Sequence, residues 1–581
     1  MSGSKKGAVI GGSIILLVAV IAAIGVTVSR SGSNKQDSAS AGQTNDNNLQ
    51  STIKSVQAIC EPTDYRDICE SALSKVANNT TDTRELVKLS FQVASDHIKE
   101  ALSHSELLSK AASDPRTKQA LTNCQELMNY AIDDIKTTFN RLGGFNMSDY
   151  EKAMGELKLW LGSAATYQET CLDGFENTTG DAAAGMRQAL NSSMALTDNA
   201  LAIVGQLADV IDELKLPALF SRRLLSDEEI EAVKNDDFPS WVSANRRKLL
   251  SIPPSGIRPD VVVAQDGSGD FSTISGALGV APIKSAKPFV IYVKHGVYKE
   301  KVTIFRNMTN IIMVGDGATQ TKVTGSLNFI DGLTTFKTAS FVVMGEGFIA
   351  RDMGFENSAG PQKHQAVALL VQADKSVFYR CQMDAYQDTL YVHTLRQYYR
   401  DCTISGTIDF IFGDAKAIFQ NCLILVRKPL DNQQNIVTAQ GRKSRQAASA
   451  IILHNCTITA DPSFPKALHT KNPSYLGRPW KEYSRTFIIQ SFIDSLINPN
   501  GWLPWLGDFG LTTCFYSEVD NRGPGANKSK RVTWKGIKNI NYQHAQKFTV
   551  EHFLWGNDWL PPSGVPYTPG LLPESQPGRI H

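Results

Sequence analysis

Two aspartates stand 21 residues apart in similar surroundings: Asp388 in Tyr386-Gln387-Asp388-Thr389-Leu390, and Asp409 in Ile408-Asp409-Phe410-Ile411-Phe412-Gly413. Two carboxylates brought close together cannot both ionise easily, so one is held as an acid and the other as an anion. Hydrolysis needs that division of labour. Gln365, 23 residues before Asp388, and Gln387 can join the pair on one face. Arg478, in Leu476-Gly477-Arg478-Pro479-Trp480, is a natural counterion for one carboxylate and could also hold an acidic sugar. Trp480 offers a flat apolar face of the kind that stacks on carbohydrate rings. Trp502, Trp505 and Trp534 either extend such a cleft or fill a core. No Cys-x-x-Cys pair or His/Cys cluster points to a metal, so neither metal nor cofactor is expected.

These groups meet only if the chain repeats at the right period. Five segments resemble one another and align on Met353, Cys381, Cys402, Cys422 and Cys456, at intervals of 28, 21, 20 and 34 residues. A unit of that size points to a solenoid. The short β-branched runs lack intervening helices, so a parallel β-helix is expected, with equivalent residues stacked in ladders. A β-sandwich would not predict like residues at such intervals. Asp388 and Asp409 then lie one turn apart. Cys402 and Cys422 also fall on successive turns, at a strand spacing of about 4.8 Å, as a disulfide or as a buried thiol ladder.

The chain has 581 residues, 42% of them hydrophobic, which argues for at least two domains and against wholesale disorder, collagen or coiled coil. The net charge of +2 hides an asymmetry: residues 1–250 hold 25 basic and 32 acidic residues, and residues 251–581 hold 34 and 25. Nucleic acid is not an expected partner; two domains of opposite charge are. An apolar run over 7–28 behind Lys5 and Lys6 reads as a signal anchor or a long signal peptide within residues 1–30. Either sends the chain into the secretory pathway, with any membrane contact confined to that segment. Residues 31–50 read as a linker. Residues 51–215 carry helical spacing and four cysteines, giving a helical bundle with Cys60–Cys69 tying a hairpin and Cys124–Cys171 tying two helices. Thr83 and Ser148 are expected helix starts, and His97 and His104 exposed helix residues. Residues 216–257 form a linker holding Arg222-Arg223-Leu224-Leu225 and Arg246-Arg247-Lys248-Leu249-Leu250, which suit a processing protease. Asn78, Asn79, Asn146, Asn177, Asn191, Asn307, Asn455 and Asn527 each lie in a glycosylation sequon.

Gly296-Val297-Tyr298-Lys299-Glu300, Gln365-Ala366-Val367-Ala368-Leu369, the two aspartate segments and Leu476–Trp480 occur in the order of the signatures of plant pectin methylesterases, and residues 258–570 resemble that family throughout. Residues 51–215 resemble the pectin methylesterase inhibitor domain. The resemblance implies an all-α four-helix bundle with a helical hairpin, followed by an all-β right-handed parallel β-helix. It also implies a secreted cell-wall enzyme that hydrolyses the methyl esters of homogalacturonan to methanol and de-esterified pectin, with a removable inhibitory pro-domain.

Carried over by motif, Asp409 would be the nucleophile and Asp388 the acid and then the base. Gln387, with Gln365, would bind the oxyanion. Arg478, Trp480 and Thr335 would contact substrate or hold Asp409, and Cys402 and Cys422 would correspond to a disulfide-bonded pair. Leu370 departs from the family, which commonly has Arg there, and altered packing or substrate preference is expected. A polygalacturonase-like glycosidase is the competing reading, although no His-Gly or Arg-x-Lys segment follows the paired aspartates as that family's signatures would. A precursor acting chiefly as an inhibitor is another, against which intact Asp388, Asp409 and Arg478 speak.

Overall fold

A computed structural model describes residues 41–142, 150–213 and 258–573, in two units. The apolar N-terminal run, Ser148 and both basic linker segments lie outside the described residues. No described helix is long and apolar enough to cross a membrane.

The first unit is helical: α1 (Ala41–Cys60), α2 (Arg66–Val76), α3 (Thr83–Ala111), α4 (Pro115–Leu142), α5 (Tyr150–Asp173) and α6 (Ala182–Glu213). The long helices α3 to α6 bury one stripe each, with Phe91, Ile98, Leu121, Met128, Leu161, Tyr167, Leu190 and Leu201 at the centre. Cys60–Cys69 closes the α1–α2 hairpin, and Cys124–Cys171 joins α4 to α5, as the cysteine spacing predicts. Helix α3 begins at Thr83, but its cap is Asp82, whose carboxylate accepts from the amides of Arg84 and Glu85. His104 is exposed, while His97 is only half exposed.

The second unit is a parallel β-helix of three sheets with ten, seven and eight strands, every pairing parallel. Each turn, or rung, places short strands in successive sheets, and the side chains alternate between the interior and the outside. Inward residues stack on their equivalents: Phe378, Tyr399 and Phe419 lie parallel on successive rungs, with centroids 4.9 and 4.5 Å apart. Where the ten-stranded sheet turns into the eight-stranded one, Asp352, Arg380, Asp401, Asn421, Asn455, Gln490 and Asp520 all adopt left-handed backbone, with φ between 49° and 57°. The next residues include Met353, Cys381, Cys402, Cys422 and Cys456, so the five segments that resemble one another in sequence stack in register.

The expected Cys402–Cys422 disulfide is not formed: all five cysteines of this unit are buried free thiols. Cys402 donates to the Phe378 and Arg400 carbonyls at 3.4 Å, and Cys422 to the Tyr399 and Gln420 carbonyls at 3.6 Å. Both thiols are satisfied by backbone carbonyls instead of by a bond to each other's sulfur.

Outside the ten-stranded sheet a second core forms, in which Tyr398, Ile418, Ile452 and Phe487 pack beneath Phe548, Phe553 and Leu560 of the C-terminal segment. The segment's end is stitched down by side-chain amides. Gln420 exchanges two hydrogen bonds with the backbone of Thr568, at 2.8 and 2.9 Å. Gln490 does the same with Leu572, both at 2.9 Å.

Candidate active site

The seven-stranded sheet carries the candidate site. Its strands are β1 (Val302–Ile304), β2 (Phe341–Val343), β3 (Leu369–Val371), β4 (Leu390–Val392), β5 (Ile411–Gly413), β6 (Asn435–Gln440) and β7 (Ser474–Gly477). Leu369, Leu390 and Ile411 pair in register and face the interior. The outward row Leu370, Tyr391 and Phe412 forms an apolar floor, with Tyr391 stacked on Phe412 at 4.2 Å. Leu370 is buried in this floor and continues it.

Asp388 and Asp409 each precede their strand by two residues, so the β4–β5 register puts them in line on adjacent rungs. The Asp388 amide donates to the Ile408 carbonyl at 3.0 Å. Both aspartates adopt left-handed backbone, φ 64° and 49°, which Asp tolerates better than most residues. They are 8% and 5% exposed.

Arg478, immediately after β7, grips Asp409 with two parallel bonds, Nε to Oδ1 at 2.8 Å and Nη2 to Oδ2 at 2.5 Å. Burial pushes the Asp409 carboxyl above the ordinary carboxylate value, and Arg478 pulls it back. Asp388 is pushed well above that value, first by burial and then by the Asp409 charge. Its carboxyl has no protein hydrogen-bond partner among the described residues. The two therefore ionise in sequence, Asp409 first.

Gln365 needs a backbone irregularity to reach the pair. The amides of Ala368 and Leu369 both donate to the Thr389 carbonyl, at 2.9 and 3.3 Å, which marks a one-residue bulge. Beyond it, Ala366 donates to the Gln387 carbonyl at 3.2 Å, which places Gln365 opposite Gln387. Both side-chain amides are half-buried, and neither has a protein partner among the described residues.

Trp480 stands edge-on to Phe412 at 5.8 Å and to Tyr391 at 6.4 Å, resting against Gly441. Of the three uncertain tryptophans, Trp505 lies 4.2 Å from the Arg478 guanidinium and belongs to the site. Trp502 is core, stacked on Tyr516 at 4.4 Å, and Trp534 packs against the same core. Thr335 is half-buried in a single 3-10 turn. That turn touches the Gln365 rung through Thr338, whose hydroxyl accepts from the Val367 amide at 3.1 Å, and no described contact joins Thr335 to the carboxylates.

Tyr391 and Phe412 were not singled out from sequence. Their signal is the one that located the aspartates: each follows its aspartate by three residues, at one register position. His393, behind Tyr391 at 4.6 Å, is pushed down to about 3 by burial and by Arg306, so it stays neutral. No group of three or more His, Cys, Asp or Glu among the described residues is placed to hold a metal.

Comparison with known proteins gives matching results for both units. The Pectinesterase family profile matches residues 260–557, and that of the plant invertase/pectin methylesterase inhibitor matches residues 54–203. The chain is 45% identical over 568 residues to putative pectinesterase/pectinesterase inhibitor 28 of Arabidopsis thaliana, covering 98% of this chain and 75% of the relative. It is 44% identical over 573 residues to probable pectinesterase/pectinesterase inhibitor 58 of the same plant, covering 97% and 98%. Among solved structures, the pectin methylesterase from carrot matches with a TM-score of 0.54 and 48% identity, over 54% of this chain and 99% of that one.

Proposed function

The chain belongs to the pectinesterase family and carries an inhibitor-type helical domain ahead of its esterase domain, and from that premise we propose that it removes methyl groups from homogalacturonan through an aspartyl acyl-enzyme. The observation that carries this reading is a carboxylate gripped by Arg478 with a second buried carboxyl one rung away, whose pKa burial and the Asp409 charge raise. Asp409 attacks the C6 ester carbonyl of a galacturonate unit. Gln387 and Gln365, with unoccupied amide donors, stabilise the oxyanion. As the tetrahedral intermediate collapses, protonated Asp388 gives its proton to departing methanol and becomes a carboxylate. It then takes a proton from the water that attacks the anhydride carbonyl, which releases the uronate and regenerates Asp409. Tyr391, Phe412 and Trp480 line the sugar site, and Thr335 is a more distant substrate contact.

Methanol release from methylated pectin without shortening of the polymer is the expected result. New reducing ends without methanol would favour glycosidic cleavage and overturn the reading. The same proposal extends to the precursor. Secretion to the cell wall follows from the N-terminal segment, and processing from the basic linker segments. The acidic helical half holds the basic esterase half inactive until cleavage after Leu225 or Leu250, and the released half is retained by polygalacturonate. An uncleaved chain as active as residues 251–581 would refute autoinhibition.

A further inference from the structure

We infer that Arg427 is a positioning residue for the turn that presents Gln387 and Asp388. This inference rests on the acid–base role proposed for Asp388. The two carboxyls are held by different means. Asp409 is fixed through its side chain by Arg478. Asp388 has no side-chain partner among the described residues, so its place depends on its own backbone turn, where it is left-handed at φ 64°.

Arg427 follows the strand Leu423–Val426, and its amide donates to the Gly406 carbonyl at 2.8 Å. In register, Val426 pairs with Gly406, and Ser405 pairs in turn with Asp384. The Tyr386 turn therefore lies two rungs away, about 9.6 Å by strand spacing. The Arg427 side chain spans that distance. Its Nη1 donates to the Ala385 carbonyl at 2.8 Å, its Nη2 donates to the Tyr386 hydroxyl at 3.0 Å, and its guanidinium lies 4.0 Å from the Tyr386 ring centre.

All three contacts fall on the two residues just before Gln387 and Asp388, and no carboxylate hydrogen-bonds this guanidinium among the described residues. Arg427 also crosses the rung that carries Asp409, so it ties the spacing of the two carboxyl turns from outside. Without it the Asp388 turn keeps its backbone ladder, but Tyr386 is free to swing and Asp388 to move toward water. Displacements on the order of 1 Å at a reacting group can cost about 100-fold in rate.

The test uses the active secreted protein as Arg427→Gln, Arg427→Lys and Tyr386→Phe, with Asp388→Asn alongside, each assayed for methanol release and melting temperature. Arg427→Gln should lower kcat about 10-fold with KM changed less than about 2-fold, the pattern of lost transition-state positioning. Its kcat should also fall off at lower alkaline pH than the wild type, because an Asp388 that gains water loses the burial that, with the Asp409 and Glu176 charges, raises its pKa against the lowering pull of Arg478. Arg427→Lys should recover part of kcat, and Tyr386→Phe should lose about 2- to 3-fold. If Arg427→Gln does not accumulate, Tyr386→Phe decides.

Unchanged kcat and pH profile would overturn the inference. So would a rise in KM at constant kcat, which would make Arg427 a substrate contact instead. A fully active Asp388→Asn, or a wild type that releases no methanol, would sink the acid–base reading itself.

Discussion

Replacing Arg478 with glutamine removes the charge that holds Asp409 as an anion and leaves the carboxyl in place. The side chains are 21% and 7% exposed, so water screens the pair only in part. Two unit charges about 4 Å apart at an effective dielectric of about 20 attract by about 4 kcal/mol. If between half and all of that stabilises the ionised nucleophile, kcat/KM on the acid side of both limbs should fall by between about 30-fold and 1,000-fold. Direction gives a sharper check than size. With Asp409 as the proposed nucleophile, activity needs it ionised, so the acid limb should rise through the Asp409 pKa. Burial raises that pKa and Arg478 lowers it, so the variant's limb must move to higher pH. Methanol release across a pH series measures both quantities. A limb that stays or moves to lower pH, or acid-limb activity within about twofold of wild type, would show that Arg478 does not set the charge of Asp409.

Four further outcomes follow from the geometry. Thiol titration of denatured, unreduced protein should find five free thiols, and native protein should react slowly because all five are buried; four or fewer would mean that the ladder oxidises. In Gly441→Ala the new Cβ would lie 2.7 Å from the Trp480 ring, so KM should rise several-fold with little change in melting temperature, and an unchanged KM would remove Trp480 from the sugar site. Asp374 and Arg396 form a fully buried ion pair at 2.6 Å, so Arg396→Met should cost about 3–5 kcal/mol in denaturant unfolding. Burial opposes the Asp374 charge but Arg396 prevails and depresses its pKa, so this contribution is complete above the unfolded value of about 3.9 and lost as pH falls through the lower folded one. Asn455 donates to Asn421 at 2.9 Å and accepts from Arg522 at 3.2 Å, whereas Asn307 and Asn527 are exposed; glycopeptide mapping should find sugar on the latter two and none on Asn455.

What could be read from sequence was whatever depends on counting along the chain. Asp388 and Asp409 align because their rungs are of equal length, and the Met353-to-Cys456 series aligns because each member follows a left-handed corner. Groups that depend on partners distant in sequence were not legible. The bulge at Ala368 that brings Gln365 to Gln387 shows only in the ladder of hydrogen bonds. Trp502 and Trp505 are three residues apart, yet one is core and the other flanks Arg478, because the loop between them leaves the last rungs. Rung spacing puts Cys402 and Cys422 on successive turns, but it does not decide between a bond and two thiols that donate to carbonyls.

The equal rungs make the interval between the carboxylates a ruler. Leu369 to Leu390 and Leu390 to Ile411 each take 21 residues, whereas Ile411 to Thr438 takes 27 and Thr438 to Gly477 takes 39. All of this surplus length lies after the second aspartate, in segments such as 427–434 and 461–473, outside the strands. One residue gained or lost between 388 and 409 would put one carboxyl out of step with the other, and no loop there can absorb the error. Changes of length in this enzyme are therefore tolerated downstream and forbidden between its two acids.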